Sequence, residues 1–170
     1  YQGRILSLIS KIICPKKILE IGTYTGYSAI CLCEGLDIDG VLHTIDNNKE
    51  LVEIQNKYFK KANLKNKIVQ YSGDAKNIIP SINEEFDIVF IDADKESYPE
   101  YYDLIINKVR SGGIIIADNI LWSGKILKKV EKDDQATKSI IEFNNKIIKD
   151  NRVKNIILPI RDGLNIVRKN

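Results

Sequence analysis

The 170-residue sequence predicts an α/β fold: a doubly wound, mostly parallel seven-stranded sheet with a C-terminal antiparallel hairpin. Three observations lead there. Continuous greasy runs such as Phe86–Ile91 and Ile114–Ala117 suit strands buried on both faces of a parallel sheet. Those runs alternate with stretches of helical apolar spacing. The tail breaks the alternation, since Val153–Leu158 and Leu164–Arg168 are two strand-like segments joined by a turn containing Asp162-Gly163.

In order, Ile5, Leu6, Leu8, Ile9, Ile12 and Ile13 recur at helical spacing, so 3–13 reads as an amphipathic helix stopped by Pro15. Lys17–Ile21 is the first strand, Gly22–Gly26 a turn, and Ser28–Leu36 a helix. Val41–Ile45 is a second strand closing on Asp46, followed by a Lys- and Glu-rich helix over 48–62. Lys67–Tyr71 makes the third strand, and a short helix broken at Pro80 leads to the fourth, 86–91. A helix over 97–109 and a fifth strand over 113–117 follow. Gln135–Lys149 is a long amphipathic helix, with Ile140, Ile141, Phe143, Ile147 and Ile148 expected on its inner face.

The length predicts one domain over 1–170, with enough residues for a full core. A net charge of +3 is only mildly basic and decides nothing about a nucleic-acid partner. No apolar run approaches the roughly 18 residues that span a bilayer, and no signal peptide is visible, so a cytoplasmic location is expected. Cys14, Cys31 and Cys33 lack metal-site spacing and read as small buried thiols in a reducing compartment. The absence of Met and the abrupt start at Tyr1-Gln2-Gly3-Arg4 predict further residues upstream.

Two polar clusters follow greasy strands directly: Asp92-Ala93-Asp94-Lys95 and Asp118-Asn119. Strand carboxyl ends are where open α/β sheets bind ligands. Asp92, Asp118 and Asn119 would supply three hard oxygen donors there, beside a lysine, which suggests a catalytic divalent-metal site. Taken singly, Asp-Asn after a strand is commonly a turn or cap, and a lone lysine is commonly a solvated charge.

Glu20-Ile-Gly22-Thr-Tyr-Thr-Gly26 falls between the first strand and its helix. Its spacing is GxxxG rather than the GxGxxG that seats a pyrophosphate, which argues against NAD, FAD and dehydrogenase chemistry. Asp46, at the end of the second strand, is placed to accept hydrogen bonds from two ribose hydroxyls. An adenosine ligand without a pyrophosphate, in a carboxylate-rich pocket, points to S-adenosylmethionine. Glu20 and Asp92 would add negative potential near its sulfonium and amino group.

Here the sequence resembles the metal-dependent O-methyltransferases of the caffeoyl-CoA and catechol type, class I enzymes with many bacterial members. The likeness is carried by Leu19-Glu-Ile-Gly-Thr-Tyr-Thr-Gly-Tyr-Ser28, Phe90-Ile-Asp-Ala-Asp-Lys95 and Ala117-Asp-Asn-Ile-Leu-Trp-Ser-Gly124, and runs from Gln2 to Gly163. The resemblance implies a Rossmann-like fold, a homodimer, and contacts to the methionine portion from Glu20, Gly22, Thr23 and Ser28. It implies that Asp46 holds the ribose, that Asp74 and Ala75 border the adenine, and that Asp94 sits beside the cofactor. It also implies Asp92, Asp118 and Asn119 as ligands of Mg²⁺ (or another divalent ion such as Mn²⁺ or Ca²⁺) and Lys95 as general base.

Methyl transfer is an in-line displacement governed by the nucleophile's charge and alignment, and a chelating cation serves both. The expected acceptor is a hydroxyl of a small catechol-like aromatic. Plant coenzyme A-ester enzymes tend to carry Asn where Ser123 stands, which weighs against caffeoyl-CoA itself. The alternative acceptor is a tRNA wobble 5-hydroxyuridine, with Lys125–Lys129 and Arg152–Lys154 as phosphate contacts. A nucleotide-binding module without catalysis would require the metal set and Lys95 to be incidental. Trp122 reads equally as pocket lining or packing, Tyr98, Tyr101 and Tyr102 as helix packing, and His43 as structural.

Overall fold

The computed structural model describes all 170 residues. Seven strands form one sheet: β1 Lys17–Ile21, β2 Val41–Asp46, β3 Ile68–Ser72, β4 Phe86–Ile91, β5 Val109–Asp118, β6 Val153–Leu158 and β7 Leu164–Lys169. Their spatial order is β3-β2-β1-β4-β5-β7-β6. All neighbours are parallel except β7, which runs against both β5 and β6. One reversed strand in a terminal hairpin is what the tail's turn chemistry predicts.

Six helices cover the sheet: α1 Gln2–Ile13, α2 Tyr27–Cys33, α3 Val52–Lys61, α4 Ala75–Ile78, α5 Tyr98–Ile105 and α6 Gln135–Lys149. Alternate strand residues serve opposite faces. Leu19, Ile21, Val89, Ile91 and Ile115 pack with Tyr98, Tyr102, Ile140 and Phe143 on one side. Ile18, Leu42, Ile88, Phe90 and Ile116 pack with Leu6, Ala29, Leu32 and Phe59 on the other. Both faces are therefore core, and the runs read as continuously apolar. Burying each such side chain contributes about 1.5–3 kcal/mol.

Several boundaries and faces differ from expectation. α5 ends at Ile105 and β5 begins at Val109, four residues before the predicted strand, because Val109 already pairs with Phe86. A register shift between Phe86 and Ile88 follows, with Gly112 at φ 76°. α2 stops at Cys33 rather than Leu36, and the predicted 48–62 helix is regular only from Val52. On α6 the inner stripe is Ile140, Phe143, Asn144 and Ile147, at i, i+3, i+4 and i+7. Ile148 lies one step beyond it and is 67% exposed, and Ile141 is only half-buried. On α1 the buried residues are Gly3, Leu6, Ser7 and Ser10, while Leu8 and Ile12 face outward. Cys31 and Cys33 are buried, but Cys14 is exposed at the left-handed end of α1. No helix is long and apolar enough to cross a membrane.

Candidate active site

Strand register assembles the site. Ile45, Ile21, Ile91 and Ala117 lie side by side across β2, β1, β4 and β5. One residue further along each strand come Asp46, Gly22, Asp92 and Asp118, a row at the carboxyl rim. The strand order reverses between β1 and β4, where doubly wound sheets open a crevice.

Gly22 makes the closest approach in that row. Its φ is 99°, and a Cβ there would lie 2.0 Å from the Asp92 carbonyl oxygen. The glycine is thus required by the neighbouring strand end, since Asp92 N–H donates to the Ile21 carbonyl at 2.9 Å.

A cavity of about 540 Å³ opens here, within the range of small-molecule sites. Gly22, Asp46, Asp74, Ala75, Asp92 and Asp94 line it, so six of the residues predicted to bind the cofactor share one space. The Asp46 carboxylate is aimed by two backbone amides, Tyr24 N–H at 2.7 Å and Asn48 N–H at 2.8 Å. Asp74 caps α4 by accepting from Lys76 N–H at 2.9 Å. Asp94 accepts from the Tyr101 hydroxyl at 2.5 Å. Burial pushes the Asp94 carboxyl up, but hydrogen bonds from Ser97 and Tyr101 outweigh it and leave the group more acidic than usual.

A second cavity of about 330 Å³ adjoins the first, and Gly22, Tyr24 and Asp92 line both. Thr23 and Ser28 border it, together with Gln2 and Arg161. Glu20 is different. It is fully buried behind the turn and lines neither cavity. Its oxygens accept from Ser28 Oγ at 2.6 Å and Thr44 Oγ1 at 2.5 Å. Burial, only partly offset by those two bonds, raises its carboxyl to about 7. Glu20 therefore reaches the cavity through Ser28 rather than directly.

Asp118 is 2% exposed. Its carboxylate accepts from Gln2 Nε2 at 2.5 Å and from the Asn119 amide at 2.7 Å. Burial, then the neighbouring Asp92 charge, makes it harder to ionise than usual. Asn119 follows in the left-handed region, φ 59°. Lys95 Nζ bonds Asp92 Oδ1 at 3.0 Å and the Tyr98 hydroxyl at 2.7 Å, and only 9% of its side chain is exposed. The ammonium therefore pairs with Asp92 alone, while Asp118 is held by neutral donors. No group of three or more His, Cys, Asp or Glu side chains is arranged to hold a metal ion; the set expected from the sequence, Asp92, Asp118 and the Asn119 amide oxygen, has two carboxylates and one neutral donor. That oxygen-only set, short of one positive charge, fits a hard divalent cation.

Sequence reasoning missed the tyrosines' second role. Tyr98 packs in the core as expected, yet its hydroxyl touches Lys95, and Tyr101 holds Asp94. The spacing of Tyr98 three residues after Lys95 is the signal that could have found it. Gln2 and Arg161 carried none. Trp122 is half-buried against the core with its indole N–H unpaired, and Ser123 is exposed, its N–H donating to Asp162 at 2.5 Å. His43 stacks on Tyr71, away from both cavities. In the basic stretches, Arg152 is held by Asp150 and Lys125 pairs with Asp134.

Known proteins share this sequence pattern and fold. A family model described as O-methyltransferase matches residues 1–170. Tricin synthase 2 of Oryza sativa subsp. japonica is 34% identical over 179 residues, covering 99% of this chain and 61% of that protein. The caffeoyl-CoA O-methyltransferase of Populus kitakamiensis is 34% identical over 180 residues, covering 99% and 76%. The chain thus spans between three fifths and about three quarters of these two relatives. Among solved structures, the O-methyltransferase from Bacillus cereus in complex with SAH superposes with a TM-score of 0.94 at 29% identity, covering 99% of this chain and 80% of that one. TomG from Streptomyces achromogenes, solved with SAM, gives 0.92 at 28% identity, covering 99% and 79%. On the match over its whole length and these relatives, the chain belongs to the O-methyltransferase family, of the caffeoyl-CoA O-methyltransferase type.

Proposed function

We propose that the protein transfers a methyl group from S-adenosylmethionine to a hydroxyl of a catechol-like small aromatic, with the help of a divalent cation such as Mg²⁺. The observation that carries this reading is the position of Asp92. It lines both cavities, stands beside buried Asp118 and accepts from Lys95. When bound, the cofactor supplies an electrophilic methyl group and the cation acidifies the acceptor hydroxyl.

The chain's own residues do the rest. Asp46 accepts from the ribose hydroxyls with a carboxylate already oriented by backbone amides. Asp74 and Ala75 border the adenine end of the larger cavity, with Asp94 near the cofactor. Gly22, Thr23 and Ser28 meet the methionine portion, and Glu20 fixes the Ser28 hydroxyl from behind. Asp92, Asp118 and Asn119 hold the cation. Lys95 is the candidate base, its Nζ kept in place by the Tyr98 hydroxyl.

Relatives named for caffeoyl-CoA and for tricin synthesis support an aromatic acceptor. The test is methyl transfer from labelled S-adenosylmethionine to catechol and to hydroxyuridine-bearing tRNA in parallel, with Mg²⁺ and with a chelator. Metal-dependent labelling of catechol is expected. Labelling of tRNA alone would move the acceptor to RNA, and labelling of neither would refute the reading.

A further inference from the structure

The smaller cavity carries a cation that the glycine turn does not account for. Arg161 lines it, together with Gln2, Thr23, Tyr27, Ser28 and Asp92. Arg161 belongs to the turn between β6 and β7 and has φ 53°, in the left-handed region. A side chain there costs on the order of 1 kcal/mol relative to glycine. Two residues on, the same turn does use a glycine, Gly163, where a Cβ would strike Leu121. At position 161 the backbone would accept glycine, and the chain carries a long cation instead.

That cation is held in place. Arg161 Nη1 donates to Gln2 Oε1, and Gln2 Nε2 donates in turn to Asp118 Oδ2 at 2.5 Å. One side-chain amide therefore separates the guanidinium from the buried carboxylate. Arg161 takes part in none of the protein's ion pairs. Its other nitrogens donate to no protein acceptor. With Asp92 also on the wall, the cavity is polarised, and an anion is favoured only toward Arg161.

A planar guanidinium with donors free matches a carboxylate through paired hydrogen bonds. We propose that Arg161, steadied by Gln2, selects for a carboxylate on the ligand that occupies the smaller cavity. The inference rests on the reading that this cavity takes part of the methyl donor or of the acceptor. Two sources present the same chemistry: the methionine carboxylate of the cofactor, and a carboxylate borne by the aromatic acceptor.

Calorimetric titration of the full chain tests this, comparing wild type with Arg161→Gly, which suits the left-handed backbone, and Arg161→Lys, which keeps charge without the fork. One arm titrates S-adenosylhomocysteine and its analogue lacking the carboxylate. The other titrates 3,4-dihydroxybenzoate and catechol in the presence of S-adenosylhomocysteine and Mg²⁺. Arg161→Gly should weaken one carboxylate ligand on the order of tenfold, with its carboxylate-free counterpart nearly unchanged and Arg161→Lys intermediate. The arm that shows the loss identifies the source. Equal effects within both pairs, no effect, or no binding of either carboxylate ligand by wild type would overturn the proposal. Both arms read binding, so a chain that binds these ligands but transfers no methyl group would refute the function proposed above and leave this inference standing.

Discussion

Lys95 Nζ donates to the hydroxyl of Tyr98 at 2.7 Å, and that hydroxyl, fully buried, donates to the Asp118 carbonyl at 3.0 Å. The lysine is thereby tied to the end of β5 as well as to Asp92 beyond β4. A flexible four-carbon stem would otherwise let the ammonium wander, and a group that moves a proton needs a fixed position.

Replacing Lys95 by Met tests that role. The residue lines neither cavity, so S-adenosylhomocysteine affinity should stay near wild type. Turnover should fall about 10²–10⁴-fold, the usual worth of a positioned base. Steady-state kinetics with calorimetry separates the two. Unchanged kcat at neutral pH would remove Lys95 from the chemistry.

Asp118→Asn should trade function for stability. The substitution keeps the shape and removes one of two repelling carboxylates from a buried place. Urea unfolding without metal should show equal or greater stability, while activity is lost. Added Mg²⁺ at about 100 times its Kd should stabilise wild type by about 2.7 kcal/mol and the variant far less. An equal Mg²⁺ response in both proteins would exclude Asp118 as a ligand.

Most of the fold was legible because buried parallel strands announce themselves as unbroken apolar runs, and β4 and α6 begin and end where their patterns do. The start of β5 was not, since Ile105, Ile106 and Val109 continue the spacing of the helix before them. Only pairing with Phe86 makes Val109 a strand residue. The placement of Asp46, Gly22, Asp92 and Asp118 at the strand ends was legible for the same reason as the strands. Glu20 was misread in one respect: strand alternation does not reveal that its carboxylate is sealed beneath Ser28 and Thr44. Gln2 and Arg161 lie 159 positions apart in sequence, and neither has local patterning that predicts their hydrogen bond.

Gly22→Ala should be among the most damaging single substitutions. The added carbon would meet the Asp92 carbonyl at 2.0 Å on a backbone with φ 99°, so β1 and β4 would have to part at the rim. Overpacking and strain together should cost about 3 kcal/mol or more. Urea denaturation measures the loss, and a wild-type midpoint would show that the turn can yield.

Glu20 should make the protein less stable as pH rises through the weakly acidic range. Its carboxyl is raised from an ordinary 4.5 to about 7, chiefly by burial. Between those values the folded chain keeps a proton that the unfolded chain has released, so each increment of pH favours unfolding. The contribution is complete below pH 4.5, declines up to about 7 and is flat above it, for a total of about 3 kcal/mol. Glu20→Gln removes the titration while keeping an acceptor for one of the two hydroxyls. Urea midpoints measured from pH 4.5 to 8 should therefore fall more steeply in wild type than in the variant. Parallel curves would mean that Glu20 is ionised in the folded protein throughout, with Ser28 and Thr44 sufficient to carry its charge.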